Sequence, residues 1–188
     1  MTTQPSIRVV HIDPNGFEDV AIERDLFESA FESVEFETVD TGGDAIAADV
    51  GQADVLLTHY AEVTEAAMDA VGCSVVTVYA TGVDNVDVDA ATERGIAVTN
   101  VPEYCNDEVG EHIVSLALAL VRGVPQYDAH TAAGGWDWGS VAPVRRLASL
   151  TFGFFAFGEK ARAAADIAAA IGADVVAHDP YLSDDELR

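Results

Sequence analysis

Short apolar runs alternate with helix-like patterns through the first hundred residues. Continuous or alternating apolar positions predict β-strands at residues 7–12, 34–39, 54–58, 75–79 and 96–99. Apolar positions at helical spacing predict α-helices at residues 17–31, 64–71 and 87–94, and Gly72 and Gly95 follow the last two. Because the strands alternate with helices, this half predicts a parallel, doubly wound α/β sheet.

A long helix is predicted over residues 106–122, with Asn106 as its N-cap and Gly123 just past its end. From Ile113 onward the segment is apolar nearly all round, which predicts a helix buried between layers. Residues 127–144 follow, with Gly134-Gly135, two tryptophans and a proline. This composition predicts a helix end and then a loop, as at a domain boundary, with Trp136 and Trp138 as packing residues.

Residues 151–179 read as one βαβ unit. An apolar run at 152–157 meets a turn at Gly158, an alanine-rich helix continues to Ile171, and a second apolar run at 175–177 precedes Asp179. The turn of such a unit is where a nucleotide's phosphates bind.

The charge balance excludes several classes of partner. The chain has 33 acidic and 9 basic residues and a net charge of −24, which argues against nucleic acid and anionic membranes as partners. The acids are scattered along the chain, which favours a solvated surface adapted to high salt. Two cysteines give no disulfide framework, the first residues lack the pattern of a signal peptide, and the apolar segment 113–121 is too short to span a bilayer. We therefore expect a cytoplasmic protein.

The turn at Gly158 has most of the features of a dinucleotide-binding turn. That turn needs small residues at three places, which here hold Ala156, Gly158 and Ala161. The third place accepts alanine, whereas the first requires backbone angles that alanine resists. Asp179 lies 21 residues beyond Gly158, where a carboxylate would bind the ribose hydroxyls of NAD and repel the extra phosphate of NADP.

Two other interpretations of this turn stay open from the residues alone. Gly153 and Gly158 have the spacing of a phosphate-binding loop with Lys160 nearby, but the lysine comes one residue late and no Ser or Thr follows it. The unit is also compatible with a βαβ motif that binds no ligand.

Three segments carry a family resemblance: T-G-V-D-N-V-D (81–87), A-A-T-E-R-G-I-A-V-T-N-V-P (90–102) and E-V-G-E (108–111). In these segments the chain strongly resembles the D-isomer-specific 2-hydroxyacid dehydrogenases. The resemblance implies a flavodoxin-like, doubly wound substrate domain at residues 1–101, followed at 102–188 by the first βαβ of a Rossmann NAD-binding domain. It also implies hydride transfer between NAD and a small-molecule D-2-hydroxy or 2-keto acid, and a homodimer formed through the long boundary helix.

The resemblance assigns particular residues. The backbone of Ala80, Thr81 and Gly82 would bind the substrate carboxylate, and Thr81 would also face the cofactor, while Asp84 and Asn85 would brace this loop. At the turn, Glu159 and Lys160 would lie against the pyrophosphate and Asp179 would hold the adenosine ribose.

The sequence also departs from the family pattern. The family usually has glycine where this chain has Ala80 and Ala156, and commonly arginine where it has Val78 and Glu159. The family's catalytic arginine, glutamate and histidine lie well downstream of the second nucleotide-domain strand, and none is present in these 188 residues. We therefore assign no catalytic and no metal-binding residue and expect the chain to be inactive on its own. The alternative is a catalytically inactive NAD-sensing or corepressor-like binding protein. His59, which follows a predicted strand, is the best remaining polar candidate for the substrate cleft.

Overall fold

A computed structural model describes residues 6–14, 19–141, 143–183 and 185–187 of the chain. The chain divides into two compact units, Met1–Tyr104 and Cys105–Arg188. The predicted helix start at Phe17 lies outside the described residues.

Unit 1 contains a five-stranded, wholly parallel sheet in the order β2-β1-β3-β4-β5. This order confirms the predicted doubly wound fold, and the order reverses between β1 and β3. All five predicted strands form, each within a residue or two of its predicted bounds. The strands are β1 (Ile7–His11), β2 (Val34–Thr38), β3 (Val55–Thr58), β4 (Val75–Val78) and β5 (Ala97–Thr99).

Two helices of unit 1 begin at cap residues in the sequence. Thr64 accepts a hydrogen bond from the Ala67 N–H, and Asp87 accepts one from the Ala90 N–H, so each side chain caps its helix. Gly72 ends one helix in the left-handed conformation, with φ of 70°. The helices are α1 (Ala21–Ala30), α2 (Ile46–Asp49), α3 (Glu65–Val71) and α4 (Val88–Glu93), with a 3₁₀ turn at Gly43–Ala45 before α2.

The two faces of this sheet are covered unequally. The α2, α3 and α4 helices pack on one face, where Val10, Leu56 and Val76 are fully buried. Among the described helices of unit 1, α1 alone packs on the other face, where Phe27 lies against Val9 and its neighbours. Right-handed crossovers explain the difference, because only the β1–β2 connection runs in the opposite direction across the sheet.

Unit 2 is built on the predicted βαβ motif. Its two strands pair in parallel from Thr151 opposite Asp174 to Phe155 opposite His178. The elements are α5 (Asn106–Val121), α6 (Val124–Ala132), β6 (Thr151–Phe155), α7 (Glu159–Ala170) and β7 (Asp174–His178), with 3₁₀ turns at Trp138–Ser140 and Leu147–Ser149.

Helices α5 and α7 approach each other closely at Gly110. A Cβ atom built on Gly110 would lie 2.8 Å from the Ala163 Cβ and 2.9 Å from the Ala164 N. Alanines on α7 and the absence of a side chain at Gly110 therefore let the two backbones come into contact.

The structure corrects three expectations about residues 106–144. Helix α5 is not buried all round, since Leu116 is 53% and Leu120 67% exposed. Asn106 is the first helical residue rather than the N-cap, which is Cys105, and no side chain caps the helix. The segment 127–144 does hold a helix end, at Ala132, and then a loop, as predicted, but the division between the units falls at 104/105 rather than in this segment.

The two tryptophans are a fourth correction. Trp136 is 93% and Trp138 89% exposed, so neither packs against its own chain.

Within the described ranges, none of the helices has both the length and the apolar composition that crossing a membrane requires.

Candidate functional site

The loop Ala80–Gly82 follows β4 at the carboxyl end of the sheet, and its carbonyl groups are held in place. The Val101 N–H donates to the Ala80 carbonyl at 3.1 Å, and the Asn100 Nδ2 donates to the Thr81 carbonyl at 2.7 Å. Within the described residues, the N–H groups of Ala80, Thr81 and Gly82 donate no hydrogen bond. Consecutive backbone N–H groups can bind an anion such as a carboxylate, and here the hydrogen bonds to the loop's carbonyl groups fix the loop that carries them.

Asn85 braces a different loop from the one expected. Its Nδ2 donates to the Ala61 carbonyl at 2.9 Å, and its own carbonyl accepts from the Val63 N–H at 2.8 Å. Asn85 therefore fixes the loop after β3, next to the Ala80–Gly82 loop. Asp84 lies close to Gly82, because a Cβ built on Gly82 would come 3.2 Å from an Asp84 carboxylate oxygen.

Asp13 holds the same loop from the side of β1. Its Oδ2 accepts hydrogen bonds from the backbone N–H groups of Tyr60 at 2.8 Å and Ala61 at 3.0 Å. The contact spans β1 and β3, where the strand order reverses and where ligands of such sheets commonly bind. The sequence analysis missed Asp13; the available signal is an acid placed directly after a buried strand.

His11 ends β1 beneath this loop and is fully buried. Neither ring nitrogen makes a well-formed hydrogen bond to the described part of the chain, and the ring lies 5.2 Å from the Tyr79 ring. Burial lowers the pKa of His11, and the nearby charges of Glu23 and Asp13 partly oppose that shift. We therefore expect the ring to be neutral and to act as packing beneath the loop.

A cavity of about 610 Å³ opens beside α1, on the thinly covered face of the sheet. Its wall includes Leu26 of α1, Leu57 of β3 and Tyr79, with Glu23 and His59 as polar members. Burial raises the pKa of Tyr79, and the Glu23 carboxylate raises it further. The cavity wall includes Tyr79, which directly precedes the Ala80–Gly82 loop, but not the three loop residues themselves. His59, the polar candidate from the sequence, faces this cavity and stacks on Tyr60 at 3.7 Å between ring centroids.

The turn after β6 contains an alanine in the left-handed backbone conformation, which glycine adopts more readily. Ala156 has φ of 71°, in the left-handed region, and is the only non-glycine residue with a positive φ in the described ranges. The Ala156 N–H donates to the His178 carbonyl at 2.9 Å. The turn therefore takes the conformation for which glycine is suited, at a cost in backbone strain.

Helix α7 begins with donors that no side chain satisfies. Gly158 is the N-cap in an extended conformation, and no side chain caps the helix. The first N–H groups of a helix have no partner within the helix, and together with the helix dipole they attract anions. Glu159 is exposed, whereas Lys160 and Ala161 are half-buried. Lys160, the chain's only lysine, therefore lies in the first turn of the helix, beside these N–H groups.

Arg162 is a second cation near the turn, and the sequence analysis missed it. Its guanidinium carbon lies 4.8 Å from the centre of the Phe157 ring, and its Nη2 donates to the Glu186 carbonyl at 2.9 Å. The signal in the sequence is its place four residues after Gly158, one helical turn along the same face.

Asp179 contacts the turn directly. Its Oδ2 accepts from the Phe157 N–H at 2.8 Å, and its Oδ1 accepts from the Tyr181 N–H at 2.9 Å. These two hydrogen bonds, first the one from Phe157, lower the pKa of the Asp179 carboxyl. The structure thus brings Ala156, Gly158 and Asp179 together at one end of the βαβ unit, as the sequence motif requires.

The competing phosphate-loop interpretation is wrong. Gly153 lies inside β6, so the residues between it and Gly158 are largely strand and cannot wrap around a phosphate. As to metals, the described residues contain no cluster of three or more His, Cys, Asp or Glu side chains that could hold an ion.

Comparison with known proteins gives consistent results. Residues 17–178 match the family described as "D-isomer specific 2-hydroxyacid dehydrogenase, catalytic domain". The D-3-phosphoglycerate dehydrogenase of Mycobacterium bovis is 37% identical over 142 residues, which are 74% of this chain and 27% of the relative. The enzyme of the same name from Methanocaldococcus jannaschii is 37% identical over 101 residues, 54% of this chain and 19% of the relative.

Among solved structures, D-lactate dehydrogenase from Aquifex aeolicus, in complex with NAD and lactic acid, has the same fold. It superposes with a TM-score of 0.75 at 22% identity and covers 95% of this chain and 53% of its own. The chain thus spans about a quarter of the length of the curated Mycobacterium relative and about half of this solved structure.

Proposed function

Because this chain belongs to the D-isomer-specific 2-hydroxyacid dehydrogenase family, we propose that it provides the carboxylate-binding loop and the pyrophosphate-binding turn of an NAD-dependent oxidoreductase. Its substrates would be small 2-hydroxy and 2-keto acids. The observation that carries the proposal is the loop Ala80–Gly82, whose three N–H groups are available while the Ala80 and Thr81 carbonyls are held.

The two units would divide these tasks. Residues 1–101 would form the substrate domain and residues 102–188 the part of the NAD-binding domain that this chain contains. This chain has few basic residues, and backbone N–H groups can bind a carboxylate without a cationic side chain.

The turn of unit 2 fits a dinucleotide. Ala156 supplies the left-handed residue, Gly158 the close approach, and Ala161 the small residue inside the helix. The pyrophosphate would lie at the N–H groups that begin α7.

Side chains around the turn would add charge and selectivity. Lys160 would offset the charge of Glu159 next to the pyrophosphate, and Asp179 would accept hydrogen bonds from the ribose hydroxyls, which favours NAD over NADP. The bound nicotinamide supplies or accepts the hydride. The contact of Thr81 with the cofactor stays a prediction of the family resemblance.

A titration with NADH tests the cofactor assignments. Purified chain should enhance or shift NADH fluorescence, and Lys160→Gln should weaken the affinity several-fold through the loss of a cation near the phosphates. Arg145→Gln is the matched control, since Arg145 is an exposed cation in the same unit and outside the turn. An unchanged NADH spectrum with the wild-type chain would exclude the roles proposed for Thr81, Lys160 and Asp179.

The second candidate is a binding protein that senses NAD without turning over a substrate. The strained alanine at position 156 and the acid at position 159 favour it, because both weaken a nucleotide site without abolishing it. Pyruvate binding separates the two, because a chain without the family's catalytic residues is expected not to oxidise NADH in either case. Shifts of the Thr81 and Gly82 amide NMR signals on addition of pyruvate support the dehydrogenase, whereas NADH binding without such shifts supports the sensor.

A homodimer through α5 is part of the proposal. Three apolar side chains are exposed on one side of this helix: Ile113, Leu116 and Leu120. Exposed apolar side chains that lie together commonly mark an interface. Light scattering after gel filtration should give a dimer for the wild-type chain and a monomer for Leu120→Lys. Ser115→Lys, on the other side of the helix, should stay dimeric, and equal masses for all three proteins would reject this interface. The net charge of −24 repels nucleic acid and anionic membranes, so we propose neither as a partner.

A further inference from the structure

We propose that Asp179 is a positioning residue for the pyrophosphate-binding turn, in addition to the ribose contact expected of it. This inference rests on the proposed function of the turn. It follows from the geometry of the carboxylate, both of whose oxygens hold backbone N–H groups of the chain itself.

The two hydrogen bonds connect the end of β7 to the turn. Oδ2 holds the Phe157 N–H, which lies between Ala156 and Gly158, and Oδ1 holds the Tyr181 N–H two residues beyond the carboxylate. Together with the bond from the Ala156 N–H to the His178 carbonyl, they fix the turn on both sides of the left-handed residue.

This anchoring matters because the turn is strained. A non-glycine residue persists in the left-handed region only where its surroundings determine its conformation. In most dinucleotide turns glycine removes that requirement, whereas Ala156 depends on neighbouring contacts. Without the Asp179 carboxylate, the Phe157 N–H loses its acceptor and Ala156 is free to relax to a negative φ, which would move the donors at the start of α7.

The carboxylate retains capacity for a ligand. An ionised carboxylate offers about four acceptor positions, of which the backbone takes two. Ribose hydroxyls would occupy the others. Turn shape and ribose binding would therefore depend on the same side chain.

Inorganic pyrophosphate separates the two roles, because it contains no ribose. Asp179→Ala and Asp179→Asn remove the same negative charge, but asparagine keeps an oxygen that can accept from the Phe157 N–H. If Asp179 positions the turn, Asp179→Ala should bind pyrophosphate about tenfold more weakly than Asp179→Asn, as expected for the loss of one hydrogen bond. If Asp179 serves only the ribose, the two variants bind pyrophosphate equally and more tightly than the wild-type chain, which overturns the proposal. Asp174→Ala, an exposed acid at the other end of β7, controls for the removal of charge.

Amide exchange and NMR shifts give a readout that needs no ligand. Exchange of the Phe157 amide should be about tenfold faster in Asp179→Ala than in Asp174→Ala, and unchanged exchange overturns the proposal even where pyrophosphate fails to bind.

If Asp179→Ala does not fold, the pH profile of the Phe157 amide chemical shift decides. In the wild-type chain the shift should titrate with the Asp179 carboxyl, below the ordinary aspartate pKa, and in Asp179→Asn it should not. A wild-type shift that does not titrate overturns the proposal. Absence of pyrophosphate binding combined with slow Phe157 exchange in Asp174→Ala and fast exchange in Asp179→Ala would reject the proposed function and leave the positioning role intact.

Discussion

Ala156 is a non-glycine residue in the left-handed conformation, at the turn between β6 and α7. A left-handed conformation costs an ordinary residue about 1–2 kcal/mol, and glycine avoids that cost. The turn nevertheless keeps this conformation, because Asp179 and the His178 carbonyl hold the backbone around it. The strain is therefore a property of the folded turn that substitution can relieve.

Ala156→Gly should stabilise unit 2. Relief of about 1–2 kcal/mol exceeds the extra chain entropy of glycine, about 0.5–1 kcal/mol, so we expect a net gain of about 0.5–1 kcal/mol in the free energy of unfolding. Urea unfolding followed by circular dichroism measures it. Ala169→Gly, at an exposed position in the last turn of α7, should instead lose up to about 1 kcal/mol. A loss at both positions would mean that Ala156 is not strained.

At the scale of single residues, the sequence identified positions that local spacing determines. The motif has a fixed spacing along the chain, so it predicted that Ala156, Gly158 and Asp179 share one turn, and in the structure they lie at the same end of the βαβ unit. Their roles in cofactor binding stay predictions. Asp13 and Arg162 were not found, because their contacts depend on which loop or ring the fold brings near them.

Among the elements, the α5–α7 pair depends most on a small residue. Gly110 faces Ala163 and the Ala164 backbone at a separation that leaves no space for a methyl group. Gly110→Ala should therefore push the helices apart and lower the free energy of unfolding of unit 2 by about 1–3 kcal/mol, even though alanine favours helix formation. Urea unfolding of Gly110→Ala tests this.

Gly153→Ala is the control for that substitution. A Cβ at Gly153 would meet only a Val176 methyl group at 3.9 Å, an ordinary contact. Its stability should stay the same or rise by up to about 1 kcal/mol, because alanine loses less chain entropy than glycine on folding into a strand. Equal effects at the two glycines would show that α5 and α7 do not touch as closely as described.

Most element types were predictable from the sequence, whereas the short helix α2 and the burial of α5 were not. The strands and the α3 and α4 helices followed from periodicity and from caps such as Thr64 and Asp87. For α5, an all-round apolar pattern predicted a helix enclosed by its own chain, yet Leu116 and Leu120 are exposed. Periodicity shows that a face is apolar, but it does not show whether the same chain or another one covers it.

At the scale of the whole molecule, the acidic surface has few cations to balance it. The ion pairs among the described residues gather acids around Arg8 and Arg94, where Arg8 contacts Glu35 and Glu37. With 33 acidic residues against 9 basic ones, most acids in the chain have no cation to pair with. Their mutual repulsion destabilises the compact state at low ionic strength.

Salt should therefore raise the free energy of unfolding. The Debye length falls from about 10 Å at 0.1 M salt to about 3 Å at 1 M, so repulsion between exposed acids is largely screened at the higher concentration. We expect urea midpoints to rise steadily with potassium chloride over this range.

A chain with Asp25→Asn, Glu28→Gln and Glu32→Gln, which neutralises exposed acids in and beside α1, should be more stable at 0.1 M and gain less from salt. Neutralising Glu65 and Asp69 removes charge as well, but it also breaks their contacts with Arg94, so it should give a smaller benefit at low salt. If wild-type and triple-variant midpoints rise in parallel, salt acts through apolar burial rather than through charge, and adaptation to high salt would lose its support.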